Sequence, residues 1–170
     1  LILRSKLKQG VKVIRDYAED LPEIEGTEAI NQVWTNLIDN SIDALEGKGD
    51  ITLRTRHEDD WVIVEVEDNG PGIPKEIQAR VFDSFFTTKP PGKGTGLGLD
   101  ISYNIVVQKH RGDLILDSEP GRTTFQIRLP MNFESQSLEA VSIQQPELIA
   151  VACHSETAVE ESVRQQPAHV

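Results

Sequence analysis

Three glycines on alternate positions, Gly94, Gly96 and Gly98, lead straight into an apolar helical pattern. Glycine weakens regular structure, so Gly94-Thr95-Gly96-Leu97-Gly98-Leu99 calls for a loop whose backbone must come close to something. Unhindered amides at the head of a helix, where the helix dipole adds partial positive charge, suit a phosphate. The run is not the dinucleotide-binding G-x-G-x-x-G, and no Walker lysine follows it. Alone it reads equally well as a flexible loop before a helix. Its company narrows the choice. Asp68-Asn69-Gly70-Pro71-Gly72 follows an alternating strand, Asn36-Leu37-Ile38-Asp39-Asn40 lies on a long helix upstream, and a phenylalanine-rich segment separates the two glycine clusters.

Each piece has a chemistry. Asn36, Asn40 and Asp43 recur at helical spacing and share one face. Asparagine is a mediocre helix former, so two of them one turn apart want a use; an asparagine carbonyl is a neutral oxygen ligand suited to a hard Mg2+ that already carries phosphate oxygens and water. The plain alternative is a solvated helix face. Asp68 closes a strand, where a carboxylate can accept a hydrogen bond from the exocyclic amine of adenine and repel the oxygen of guanine, worth up to ~10^4 in discrimination. Gly70 and Gly72 would let the backbone approach the base, although Asp-Asn-Gly is also an ordinary turn.

The chain order frames these motifs. Leu1 to Val11 has loose helical spacing and reads as the end of a helix; Val11 to Tyr17 alternates as a half-buried strand. Thr27 and Glu28 open a helix with Ile30, Val33, Trp34, Leu37, Ile38 and Leu45 as its buried stripe, stopped by Gly47 and Gly49. Ile51 to Arg56 and Trp61 to Val66 form a hairpin, Pro74 to Val81 a short helix, and Thr87 to Gly96 a mobile loop. Leu97 to about Lys109 is helical again, and Leu114 to Leu116 and Thr123 to Leu129 are the last strands, turning at Glu119-Pro120-Gly121. Irregular alternation with two hairpins predicts a two-layer α/β sandwich with a mixed sheet covered on one face by helices, not a doubly wound parallel sheet.

From about Val11 to Pro130 the set of motifs resembles the ATP-binding catalytic domain of sensor histidine kinases, within the superfamily that includes gyrase, heat-shock chaperone and mismatch-repair ATPases. The resemblance implies the Bergerat-type fold, ATP and Mg2+ as cofactors, and a metal ligand at Asn40 with Asn36 as its neighbour. It implies catalytic roles for Asn36, Asn40 and Lys89, and extends the ATP-binding set to Asp43, Ile73, Lys75, Phe82, Thr87, Thr88, Lys93, Leu97, Leu99 and Thr123. Hydrolytic members carry a glutamate general base where Asn36 stands; an amide cannot abstract a proton, which favours phosphate transfer to a protein over hydrolysis. In the phenylalanine segment Phe82 is expected in the core, with Phe85 or Phe86 nearer a helical partner.

The implied acceptor histidine has no good match. His57-Glu58 is followed by Asp59-Asp60-Trp61 in a predicted hairpin, His110 suits a structural role, and His154 and His169 lie in the tail. The acceptor is expected on a dimerisation segment upstream, with residues 1–10 as the end of its helix, 11–130 as the catalytic domain and 131–170 as an acidic, flexible tail. A homodimeric parent and a response regulator are the implied partners. The net charge of −11 argues against nucleic acid and makes Lys75, Arg80, Lys89 and Lys93 interesting by position. A single cysteine, Cys153, fits a reducing, cytoplasmic setting; there is no apolar run of membrane-spanning length, and the missing initial methionine suggests a piece of a longer chain. Three other readings stand beside the kinase: an ATP-controlled binding module, a chaperone-like ATPase, and a serine kinase.

Overall fold

The computed structural model describes residues 10–22, 24–131 and 141–143. Its elements are β1 (Val11–Tyr17), β2 (Ile24–Gly26), α1 (Ala29–Ala44), β3 (Gly49–Glu58), β4 (Trp61–Asp68), α2 (Lys75–Gln78), α3 (Gly98–Tyr103) continued by a π-helical turn (Asn104–Lys109), β5 (Asp113–Glu119), β6 (Arg122–Pro130) and β7 (Val141–Ile143). Five strands form one mixed sheet in the order β1-β3-β4-β6-β5. β1 lies parallel to β3 with α1 as the crossover between them, and the other pairings are antiparallel. The sheet and the helices on one of its faces are the α/β sandwich that the alternation of elements predicts.

Register positions the chemistry. Ile51 opposes Asp68, Asp68 opposes Thr123, and Thr123 opposes Ser118, so one row across four strands ends at the same edge of the sheet. On the helix-facing side Val11, Ile51, Leu53, Val66, Leu114, Phe125, Ile127 and Leu129 pack against Ile30, Val33, Leu37, Ile38 and Ile42 of α1 and against Ile105 and Val106. The predicted stripe of α1 is buried except for Trp34, which is half-buried, and Ile42 joins it. With that stripe committed to the sheet, Asn36, Asn40 and Asp43 are left on the flank of the helix that faces the second glycine cluster.

The other sheet face carries charge. Arg54 grips Glu67 with two hydrogen bonds of 3.0 and 3.2 Å, and Arg56 meets Glu65 at 2.7 Å. Ile63 sits on this face yet is 2% exposed, because its cross-strand neighbours are Arg56 and Arg128, whose long apolar stems cover it.

Two expected helices differ. The Leu97–Lys109 pattern is an α-helix only to Tyr103; the last turn widens, with His110 N bonded to Ile105 O and Gly112 N to Val106 O. The wider turn swings His110 inward to 2% exposure. There its Nδ1–H donates to Ile105 O at 2.8 Å, and its Nε2 accepts from the Thr27 amide at 3.1 Å. The Pro74–Val81 helix is a single turn, since Gln78 turns its amide back onto the Ile73 and Ser118 carbonyls. The expected helix end at Leu1 to Leu7 lies outside the described residues. In the tail, Val141–Ile143 pairs antiparallel with β2; the short strand that the sequence allows over 146–152 and the helix over 157–165 lie outside the described residues. Among the described residues no helix is long and apolar enough to cross a membrane.

Candidate functional site: a cavity between α1, two glycine turns and a lid

A cavity of about 790 Å³ opens between α1, the sheet edge at Asp68 and Thr123, and the segment running from Phe86 to Leu99. Its wall includes Asn36, Asn40, Asp43, Asp68, Gly72, Ile73, Thr87, Thr88, Lys89, Lys93, Gly94, Thr95, Gly96, Gly98, Leu99 and Thr123. The sequence motifs, separated by up to about 60 positions, therefore converge on one space of the size that holds a nucleotide.

Asp68 lies at the sheet end of the cavity, 3% exposed. Burial pushes its carboxyl above the usual carboxylate range, and the Gly70 amide, donating to Oδ1 at 3.0 Å, only partly offsets this. The buried Ser41 hydroxyl lies close enough to favour the charged form, though not aligned as a hydrogen bond. Gly70 serves the carboxylate: a Cβ there would stand 2.7 Å from Asp68 Oδ1. Gly72, at φ +81°, leaves room for the backbone of the β5–β6 turn, since a Cβ would overlap the Glu119 carbonyl. Asn69 locks the motif to β3, accepting from Asp50 N at 2.8 Å and donating its own amide to Asp50 O. Ser118 fixes the last piece by accepting from Ile73 N at 2.8 Å while bonded to Thr123 Oγ1 at 2.9 Å.

At the other end, Asn36 joins α1 to the second glycine cluster. Its Nδ2 donates to Gly98 O at 2.9 Å and to Ser102 Oγ at 3.1 Å. No side chain caps the amides that begin α3 at Gly98. Lys89 crosses from the segment 87–96, the lid of the cavity, to α1, its Nζ 3.0 Å from Asn40 Oδ1 and 2.7 Å from Asp43 Oδ2. Gly96, at φ +66°, packs where a Cβ would overlap the Phe85 backbone, and its carbonyl accepts from Phe85 N at 2.9 Å.

Four expected site residues stand off the cavity wall. Gly70 acts behind it on Asp68, and Leu97 is the residue before α3. Lys75 is exposed at the start of α2. Phe82 is half-buried against the core, tilted on Tyr103 and edge-on to Phe125 at centroid distances of 5.6 and 6.4 Å. Phe86 takes the wall position, with Arg80 4.7 Å over its ring, and Phe85 is 74% exposed. Apolar wall residues that motif reading passed over, Ile77, Val81 and Phe125, came from elements read as core or as a plain short helix; only their apolar character next to Asp68 could have signalled them. His57 lies on β3 about 20 Å along the strand from the Asp68 row, counted at the usual rise per residue, with Nε2 against Met131 Sδ.

Residues 26–132 match the family described as histidine kinase-, DNA gyrase B- and HSP90-like ATPases. The chain belongs to this ATPase family. The fold is thus that of an ATP-binding domain. The sensor kinase CckA of Brucella abortus is 39% identical over 153 residues, which are 80% of this chain and 16% of that protein. The sensory histidine kinase/phosphatase NtrB of Salmonella typhimurium is 40% identical over 145 residues, 76% of this chain and 40% of that protein. This ATPase domain spans well under half of either relative. Among solved structures, the nucleotide-free catalytic domain of histidine kinase ThkA superposes with a TM-score of 0.69 at 30% identity, covering 76% of this chain and 87% of that one. ThkA in complex with the response regulator TrrA matches with a TM-score of 0.65 at 28% identity, covering 77% of this chain and 37% of that one.

Proposed function

We propose that this domain is the catalytic domain of a sensor histidine kinase, holding MgATP so that its γ-phosphate passes to a histidine on a helical dimerisation domain of the parent protein and then to an aspartate of a response regulator. The observation that carries this reading is the place of Asn36. It occupies the helix position one turn before Asn40, it has no group to take a proton from water, and its amide is engaged by Gly98 and Ser102. A site built this way favours a nucleophile that brings its own reactivity, as a neutral imidazole does. The nitrogen forms the N–P bond as the bond from the γ-phosphorus to the bridging oxygen breaks, and ADP leaves. Little covalent work falls to the domain, which positions the chain of phosphates and stabilises their charge.

In this reading Asp68 accepts from the adenine amine, Phe86, Ile77 and Val81 supply apolar contact to the base, and the amides of Gly94, Thr95, Gly96, Gly98 and Leu99 face the phosphates with Lys93. The oxygens of Asn40 and Asp43 suit a cation, since a lysine ammonium already sits between them; Mg2+ bound to Asn40 would neutralise phosphate charge there. The names of CckA and NtrB and the fold of the ThkA catalytic domain support the same assignment. Exposed Phe85, beside the lid, offers an apolar contact for the helical partner.

The test is transfer from γ-labelled MgATP to the parent's upstream helical segment, mixed with this chain. Acid-labile, base-stable label on a histidine of that segment is the expected result. Tight ATP binding without label would replace the kinase reading with an ATP-controlled binding module, and acid-stable label would point to a serine kinase.

A further inference from the structure

Lys89 lies on a cavity wall that the ATP reading leaves open to nucleotide, yet its ammonium is already committed. It is 3.0 Å from Asn40 Oδ1 and 2.7 Å from Asp43 Oδ2, and its side chain is only 33% exposed. The lid is shaped around it. Lys89 N donates to Thr87 Oγ1 at 3.1 Å, and Gly94 lies so close that a Cβ there would stand 3.1 and 3.2 Å from Lys89 Cβ and Cδ and 2.6 Å from Thr87 Oγ1. Gly94, read from the sequence as a phosphate-approach glycine, is thus packed against the Thr87 hydroxyl and the stem of the lysine.

We propose that Lys89 is a placeholder cation. Before nucleotide arrives, its ammonium holds Asn40 and Asp43 together and pins the lid to α1; it gives up both oxygens when a divalent cation enters with ATP, and the lid is released. The holding half stands on the geometry alone, and the exchange half rests on the ATP reading above. Charge decides that the two states exclude each other. An ammonium within hydrogen-bond reach of these oxygens and a divalent ion bound to them would repel at short range in a partly desolvated site, so one must leave. The arrangement also keeps the Asp43 carboxylate neutralised in both states, which matters in a chain of net charge −11 that has to admit a polyanion. Lys89 is therefore a positioning residue in the empty site, acting through Asn40 and Asp43.

Two measurements on the full chain without nucleotide test this: amide hydrogen exchange across residues 87–96, and Mn2+ binding followed by electron paramagnetic resonance. Lys89→Met should speed lid exchange about tenfold and tighten binding of Mn2+ alone several-fold. Asp43→Asn should loosen the lid to a similar degree, and the double variant should add little, because one contact is being removed twice. If Lys89→Met only weakens ATP binding and leaves lid exchange and Mn2+ affinity at wild-type values, the lysine is a phosphate contact and the placeholder is wrong. Calorimetry with MgATP on the wild-type chain separates the two readings. No ATP binding, with lid exchange still following Lys89 and Asp43, would sink the ATP reading while the holding contact stood.

Discussion

At the scale of single residues, Asp68 meets two opposed demands. Its carboxyl is buried and pushed up, so the fold carries its charge at a cost. The sign follows from linkage: a carboxyl whose value is raised on folding contributes stability that is full below the ordinary carboxylate range and is lost as pH rises through the raised value. At neutral pH Asp68 therefore weakens the fold, and what it provides is a buried acceptor at the cavity wall. Asp68→Asn keeps the shape and an oxygen for the Gly70 amide while removing the charge. The variant should melt higher, by about 1 kcal/mol or roughly 4 °C, as relief of strain at a functional residue commonly does. Its ATP affinity should fall about 10- to 100-fold, with poorer discrimination against GTP, because the amine loses its acceptor. Melting followed by calorimetry reads both; a variant that melts lower and binds ATP as the wild type does would contradict the assignment. The asparagines divide in a way that spacing could not show. Asn36 is a donor that fastens α3, so Asn36→Asp should lower stability by about 1–2 kcal/mol, whereas Asn40→Ala should leave the melting temperature nearly unchanged and weaken the Mg2+ dependence of ATP binding.

At the scale of elements, periodicity made most of the fold legible. β1, both hairpins and α1 follow from apolar spacing, because their burial is one-sided and the period of each face is visible. The widened turn after Tyr103 could not be read this way, since one extra residue per turn changes the hydrogen bonding without breaking the apolar pattern. Nor could β2, whose three residues pair with a segment more than 100 positions later. The motifs converge as a set on one cavity, but four members stand off its wall, and for a physical reason: a motif position serves what holds the loop as much as what the loop holds. Gly70 holds Asp68, and Phe82 anchors its segment against the core so that Phe86 can face the cavity. His110 shows how elements depend on one another here. It ties the end of the π-helical turn to the residues just before α1, through Ile105 and Thr27. His110→Ala would leave a void and strand the Thr27 amide, so a loss of about 2–3 kcal/mol, or some 10 °C in melting temperature, is expected. An unchanged melt would show that this junction is not where the helices are joined.

At the scale of the whole molecule, the two sheet faces respond to acid with opposite signs. On the charged face, hydrogen bonds from Arg54 hold the Glu67 carboxyl below the usual glutamate range. Burial pushes the Glu65 carboxyl up, but hydrogen bonds from Arg56 and Gln126 outweigh it and leave it low. A carboxyl lowered on folding contributes stability that is present above its unfolded value, near pH 4.3, and is lost as pH falls through the lower folded value. Asp68, on the helix-facing side, gains as pH falls. Between neutrality and about pH 5 the stability of the empty domain should therefore be flat or rise slightly, and below about pH 4 it should decline as the arginine partners lose their counter-charges. Arg54 is 32% and Glu67 23% exposed, so solvent screening limits that pair to about 1 kcal/mol. Urea titrations across pH distinguish the terms. Asp68→Asn should remove the shallow rise and leave the acid decline, while Glu67→Gln should blunt the decline and leave the rise. If both variants shift the curve in the same way, the two faces are not independent, and the cavity carboxylate is coupled through β4 to the charged face behind it.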